Sequence, residues 1–448
     1  MKWIVALMLL PGTLFGQAPQ PLTLEEAIKL GLERSKMLSV SRTKVDAASA
    51  KSGEAFAAQL PSLTVAGGYT RLSDVPPFEI PAREFGNPQP IVISPVVLDN
   101  YSSRVTLQQP IFTGFKLHSN ARAAEYLAKA GESDYKNDEA DLILNVTSAY
   151  WSLYQTLETR KVTGENVTRL QTYHKDTENL MKAGLSTRSD LLKIEVQLSN
   201  AELTQIDAEN DVQVAMMNLN NVIGQPIDTQ IKLESVPDDT AMGRDISQYP
   251  VLLNQAFSSR PDVQAMQSRL EASKASVTAA QGNYFPQIFL TGNYYYNRPN
   301  VRYLPTIDEF KSTWDVGVQV QFDLWNWGAT SAEVDQARAA LSQNEILYAQ
   351  MKDNISLEVR RNLLAVNRAK EKISVARVGV DQAEENVRTT GDKYKTGLAT
   401  STDLLDVNVA LLQAKINYTG ALVEQELARA TLRRSLGETL SGGMDLRQ

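Results

Sequence analysis

Residues 184–224 and 397–437 are two versions of one sequence. At a fixed offset of 213 residues, Gly184 falls on Gly397, Asp190 on Asp403, Leu191 and Leu192 on Leu404 and Leu405, and Leu198 on Leu411. Ala201 likewise falls on Ala414, Leu219 on Leu432 and Gly224 on Gly437. Earlier in each half the offset becomes 225, pairing Pro61 with Pro286, Gly67 with Gly292 and Tyr69 with Tyr294. Unequal loops absorb the difference. Glycine, proline and aspartate kept in register mark a tandem duplication, so the chain must fold as two copies of one unit.

Each copy reads as helix, two strands, very long helix, tight turn, helix. The first repeat covers 17–224 and the second 251–437, with a linker over 225–250 and a tail over 438–448. The first helix starts at the capping box Thr23 to Glu26 and extends toward Gln59, where Pro61 ends it. Its counterpart covers about Val251 to Asn283 and stops before Pro286. Long helices follow over about Phe115–Met181 and Ala329–Tyr394; 67 residues extend to roughly 100 Å. In the second, Ile355, Val359, Asn362, Val366, Ala369, Ile373, Ala376, Val380, Ala383, Val387, Thr390 and Tyr394 alternate spacings of four and three. That is a coiled-coil seam. The helix after the turn repeats the spacing through Leu404, Val407, Leu411, Ala414, Tyr418, Ala421, Ala428 and Leu432, and its twin through Leu191, Ile194, Leu198, Ala201, Ala208, Val212, Ala215, Leu219 and Val222. Each half therefore closes an antiparallel hairpin at Gly184 or Gly397. The first long helix has a poorer seam, with Thr156, Arg160, Thr163, His174 and Thr177 on it, which predicts a shifted packing face.

Strands are expected over about 62–72, 100–110, 286–296 and 313–324. Leu63, Val65, Gly67 and Tyr69 alternate with Thr64, Ala66, Gly68 and Thr70, and Trp314, Val316, Val318, Val320 and Phe322 alternate with Asp315, Gly317, Gln319, Gln321 and Asp323. Segments of about 10 residues with one apolar face and aromatic ends match strands that span an outer membrane. Met1–Gly16, with Lys2 ahead of an apolar run from Trp3 to Leu10 and small residues at Gly16 and Ala18, reads as a secretory signal peptide. No later stretch has the roughly 20 apolar residues of a spanning helix, so a span must be made of strands. Four strands cannot close a membrane barrel, whose smallest form has about eight. Two copies would supply eight strands and three would supply twelve, and periodicity alone does not choose.

Composition removes most chemistry. There are no cysteines, two histidines, and 45 Lys plus Arg against 52 Asp plus Glu for a net charge of −7. Disulfides, thiolate metal sites and cysteine nucleophiles are excluded, and no cationic surface is available for nucleic acid. His118 and His174 fall on one predicted helix about 84 Å apart and cannot share a site. No P-loop, nucleophile elbow or metalloprotease motif is present, so neither an enzyme activity nor a cofactor or metal is expected. The residues that stand out are carboxylates beside the turns. Asp403 and Asp406 are one helical turn apart; Asp190 matches the first, and Lys193 stands at the second. An Asp in the first turn favours the helix dipole and needs no function, which accounts for Asp190 and Asp403 better than for Asp406. If Asp403 and Asp406 form rings, crowding of like charge raises their pKa values.

The stretch Gly-Leu-x-Thr-x-Ser/Thr-Asp-Leu-Leu, at Gly184 to Leu192 and Gly397 to Leu405, together with Gln109-Pro110-Ile111-Phe112-Thr113-Gly114, its weaker partner Phe322 to Gly328 and the duplicated layout, resembles the TolC-type outer-membrane efflux proteins. The resemblance covers the whole mature chain. It implies a membrane α+β fold in which the duplicated helix-hairpin and β-hairpin unit forms a homotrimer, with a twelve-stranded outer-membrane β-barrel continued by a long periplasmic α-helical barrel. It implies a passive exit duct that docks a periplasmic adaptor and an inner-membrane pump. It implies adaptor contact at Gly184, Leu185, Ser186, Gly397, Leu398 and Ala399, a selectivity ring at Asp403 and Asp406, and a gate near Asp190 and Tyr394. Where some members carry a gate-locking arginine, two residues after the second tip glycine, this chain has Ala399; Arg188 lies in the other half. The competing class is a periplasmic coiled-coil adaptor without a membrane barrel. Adaptors carry one hairpin flanked by small β domains, whereas this sequence carries two hairpins and two strand pairs. The six prolines between Ser73 and Asp99 break any spanning ladder and mark that segment as an extracellular loop, longer than the one over about 297–312.

Overall fold

The computed structural model describes residues 20–238 and 245–438; the expected signal peptide and most of the C-terminal tail lie outside them. In chain order the elements are β1 (Gln20–Leu22), α1 (Leu24–Arg34), α2 (Lys36–Ala57), β2 (Ser62–Arg71), β3 (Phe78–Ile80), β4 (Ile91–Ser94), β5 (Asp99–Phe112), α3 (Lys116–Lys182) and α4 (Arg188–Val222). Then follow β6 (Ile231–Leu233), α5 (Tyr249–Ser259), α6 (Pro261–Gln281), β7 (Gln287–Asn297), β8 (Lys311–Gln321), α7 (Ala329–Lys395) and α8 (Ser401–Ser435). The duplication is exact in helix length, with α3 and α7 at 67 residues and α4 and α8 at 35. Two compact units emerge, one from residues up to Thr43, Ser133–Gln264 and Gln350 onward, the other from Lys44–Glu132 and Ala265–Ala349.

The second unit holds a four-stranded antiparallel sheet in the order β2-β5-β7-β8. Its register aligns side chains of one kind across all four strands. Val65 lies opposite Val105, Val105 opposite Tyr294 and Tyr294 opposite Trp314, while Thr64, Thr106, Asn293 and Asp315 form the row on the other face. On the polar face, Thr106 donates to Asn293 at 2.8 Å and Asn293 to Asp315 at 2.8 Å. The apolar face is bare: Leu63, Val65, Trp314, Val316, Val318 and Val320 are all exposed. Aromatic clusters mark both strand ends, with Tyr69, Tyr101, Phe310 and Tyr296 at one and Phe112, Phe115 and Phe285 at the other. The 11 residue steps of β5 from Tyr101 to Phe112 extend about 36 Å, or about 25 Å of depth at a 45° tilt, the height of an outer-membrane apolar band. β2 and β8 leave open edges of similar length, 10 and 11 residues. The proline-rich segment between β2 and β5 contains the small hairpin of β3 and β4.

In the first unit the predicted first helices are each broken once, a correction to the continuous helices expected. Ser35 adopts an extended conformation between α1 and α2, its hydroxyl accepting from the Leu38 amide at 3.3 Å. Arg260 does the same between α5 and α6, because Pro261 disfavours helical geometry in the residue before it. The offset of 225 maps one break onto the other. Each break receives the glycine that ends its repeat's hairpin: Gly224 sits against Arg34, and Gly437 against Ser259 and Arg260, both with left-handed backbone and both so close that a β-carbon would come within 2.8 Å of neighbouring atoms. The parallel pair β1-β6, also unforeseen, is fastened to α3 by Tyr150, which donates to the Leu22 carbonyl at 3.0 Å and accepts from the Ser235 amide at 2.9 Å. Around it pack Ala27, Ile28, Leu38, Val146, Trp151, Leu153, Val212, Leu219 and Ile223.

The α7 seam is buried at Ile355, Val359, Asn362, Val366, Ala369 and Ile373, half-buried from Ala376 to Thr390, and buried again at Tyr394. In α3 the expected shift does not occur: at the positions that the offset of 213 sets against the α7 seam, Leu142, Val146, Leu153 and Leu170 are buried and Arg160 alone is exposed, while Tyr150, Val162 and Asn166 widen the buried face. Thr163 and Thr177 are buried too, each with a side-chain partner, Gln205 and the Tyr394 hydroxyl.

Candidate functional site

Both hairpins turn the same way. Gly184 and Gly397 each adopt φ +76°, and the carbonyls of Leu180 and Lys393 accept from the amides of Leu185 and Leu398 at 2.8 and 2.9 Å. A β-carbon at either glycine would meet nothing within 4 Å, so what demands glycine is backbone conformation. The turn leaves Leu185 and Leu398 76% and 79% exposed, an apolar side chain at each tip. Ser186 and Ala399, next in each turn, are half-buried.

The next helix starts with a reciprocal cap in each repeat. Thr187 accepts from the Asp190 amide at 3.2 Å while Asp190 Oδ2 accepts from the Thr187 amide and hydroxyl at 3.3 and 2.6 Å. Thr400 and Asp403 repeat this at 3.1, 2.9 and 2.7 Å. Hydrogen bonds from Ser401 and then Thr187 hold the Asp190 carboxyl below the ordinary range, and those from Thr400 do the same for Asp403. Within one chain, the donors of each Asp's own cap favour its charged form. A depressed native pKa means the caps contribute stability above the ordinary Asp value near ~3.9 and lose it as pH falls through the lower native value. Asp406, one turn on, is exposed and has no hydrogen-bond or ion-pair partner among the described residues.

The two tips touch within the chain. Ser401 donates to Asp190 Oδ1 at 2.6 Å, and Lys193 reaches Thr402 at 3.4 Å and Asp190 at 3.8 Å. Farther up, Tyr394 and Thr177 share a buried hydroxyl contact of 2.6 Å, and Asn408 donates to Asn166 at 2.6 Å in a buried pair that sequence reasoning missed. Asp190 and Tyr394 thus both tie the first hairpin to the second, through Ser401 and Thr177 respectively. His174 lies on the α3-α4 seam, 3.2 Å from Glu195. Among the described residues no group of three or more His, Asp or Glu could hold a metal ion, and no helix is long and apolar enough to cross a membrane.

A four-stranded sheet with one bare apolar face and aromatic ends, on the same chain as two long helical hairpins, defines an outer-membrane channel. The family model described as outer membrane efflux protein matches residues 27–225 and 252–438, once in each repeat, and the chain belongs to this family. It is 24% identical to the outer membrane efflux protein BepC of Brucella suis biovar 1, over 95% of this chain and 91% of the relative. It is 23% identical to the proteases secretion protein PrtF of Dickeya chrysanthemi, over 73% and 74%, and 22% identical to the outer membrane protein TolC of Vibrio cholerae, over 71% and 72%. Among solved structures the fold is shared with CusC, at a TM-score of 0.80, 18% identity and coverage of 93% and 92%. It is shared with VceC of Vibrio cholerae at a TM-score of 0.76, 18% identity and coverage of 92% and 96%. The protein is accordingly an efflux channel of the outer membrane that extends into the periplasm, in a family of ducts and not of enzymes.

Proposed function

We propose that three copies assemble into a twelve-stranded barrel continued by a periplasmic helical barrel, and that this homotrimer is the passive exit duct of a tripartite efflux or secretion system. The observation that carries the reading is the sheet. Its open edges β2 and β8 need partners, and its bare apolar face needs lipid. Three copies supply twelve strands, an even count that can close without an edge; the choice of three over two follows the family resemblance. An adaptor and an inner-membrane pump complete the system, with the adaptor gripping the tips at Gly184, Leu185, Ser186, Gly397, Leu398 and Ala399. Asp403 and Asp406 line the periplasmic constriction, and Asp190 and Tyr394 hold it closed. The duct carries out no reaction and uses no cofactor. Relatives are named for protease secretion, antibiotic efflux and toluene efflux; one fold serving such different cargo assigns selection to the pump. Recovery from washed outer membranes as an oligomer with heat-modifiable migration is expected, and free periplasmic recovery would overturn the reading.

Two further outcomes are expected. Gly184→Val and Gly397→Val should leave trimer assembly intact, since no neighbour obstructs the side chain and the strain of about 1–2 kcal/mol is local. They should instead impair co-purification with the adaptor; equal loss of trimer and docking would make the glycines folding determinants. Cysteine placed at Asn87, in the segment between β3 and β4, should react with a membrane-impermeant maleimide on intact cells. Labelling only after permeabilisation would move that loop to the periplasm.

A further inference from the structure

The two tips carry the same cap but not the same neighbours. Asp190 uses Oδ2 for its own cap and Oδ1 to accept from Ser401 of the other repeat. Asp403 uses Oδ2 in the same way, yet its Oδ1 has no partner among the described residues. The offset of 213 says what is missing. Asp190 corresponds to Asp403, and Ser401 corresponds to Arg188. Repeating the observed contact one step further therefore brings Asp403 to the Arg188 position of another first repeat, which a single chain does not have. Arg188 is itself exposed and without a hydrogen-bond or ion-pair partner among the described residues.

The same displacement accounts for an apolar face. Leu405 of α8 is 8% exposed and packs with Leu170, Ile194 and Ala201 of the first hairpin. Its counterpart on α4, Leu192, is 48% exposed. Thr419 is buried, and its counterpart Ile206 is 62% exposed; Val196 and Leu203 continue the exposed stripe at heptad spacing. α8 covers this face on the first hairpin, and the equivalent face of α4 waits for an equivalent second hairpin.

We infer that around the oligomer Arg188 of one copy binds the free Oδ1 side of Asp403 of the next, with the Leu192, Val196, Leu203 and Ile206 face of α4 laid against α7 and α8 of that copy. This rests on the homo-oligomer reading above but not on the number of copies. The charges are complementary where the repeats diverge: the first tip has Arg188 and Lys193 at the positions where the second has Ser401 and Asp406. An arginine also reaches about 4 Å farther from its Cα than a serine does. The seam within a copy is thus closed by a short contact and the seam between copies by a long one. The pair compensates the charge of Asp403 and leaves Asp406 as the uncompensated carboxylate at the constriction.

The absence of cysteine makes the test direct. Copies bearing only Arg188→Cys are co-expressed with copies bearing only Asp403→Cys, and outer membranes are treated with a short bis-maleimide. A covalent dimer of the two kinds is expected, and none from either kind alone. Separately, Arg188→Glu should lower the temperature at which the oligomer dissociates in SDS, and adding Asp403→Arg in the same chain should restore it. Oligomers that form normally but give no mixed dimer, or a reversal that the second substitution fails to rescue, overturn the pairing and leave the oligomer standing. Recovery of wild-type chain only as a monomer overturns both.

Discussion

Replacing Arg260 by alanine should cost the helical unit about 3–5 kcal/mol, the loss typical of a buried ion pair deprived of one member. The Arg260 side chain is 5% exposed and sits at the break between α5 and α6. It holds Asp262 in a fork at 3.0 and 2.7 Å, donates to Glu358 at 2.7 Å and to the Ser435 carbonyl at 3.2 Å. Arg434 extends the network, 3.5 Å from Glu358 and 2.7 Å from Asp141. One guanidinium thereby joins α6, α7 and the end of α8, with Arg434 carrying the connection to α3. Without it, Asp262 loses its forked partner, Glu358 keeps only Arg434, at 3.5 Å, among the described residues, and the Ser435 carbonyl loses its donor. Thermal denaturation followed by helical circular dichroism should register a large drop for Arg260→Ala. Arg260→Lys should fall between the two, since an ammonium cannot reproduce the fork. A melting curve unchanged in Arg260→Ala would show that the network contributes nothing net.

The second large effect is electrical. Replacing Asp403 and Asp406 together by alanine should reduce the cation-over-anion permeability ratio about threefold or more, because in the proposed duct each copy contributes both carboxylates to one narrow opening where counter-ions are concentrated. The reversal potential of single channels in a salt gradient reads this directly, and block by multivalent cations should weaken in parallel. Asp406→Asn alone should carry most of the change, as Asp406 has no partner among the described residues while Asp403 is bound into its cap. Helix stability responds the other way round: Asp403→Ala loses a cap and Asp406→Ala does not. An unaltered reversal potential in the double variant would leave the carboxylates with capping alone.

Much of this was readable from residue order. The long helices were legible because their seams hold a strict spacing over many turns, and the hairpin turns because each pairs a glycine with a threonine three residues before an aspartate. The Thr-x-x-Asp pattern also carries the caps at Asp190 and Asp403, but only the first-turn charge of each Asp is read from the sequence. The breaks in the first helices were less visible. Pro261 marks one, although the helix expected from Val251 to Asn283 passes over it; at Ser35 no proline or glycine stands, and the serine both ends one helix and caps the next. The pair β1-β6 is three residues long on each side, too short for alternation to appear. The Asn166–Asn408 and Thr177–Tyr394 contacts escaped because a polar residue inside a seam reads as a weak position until its partner, more than two hundred residues away, is brought beside it.

The equal lengths of the repeated helices also constrain how such a chain can change. A single deletion in α7 would turn everything beyond it by about 100° and move the Gly397 tip by about 1.5 Å, taking Tyr394 away from Thr177 and Ser401 away from Asp190. Removing seven residues from each of α3, α4, α7 and α8 nearly preserves every face and draws both tips back by about 10 Å. The distance these hairpins reach is therefore open to evolution or engineering only in steps of one heptad, taken four times at once.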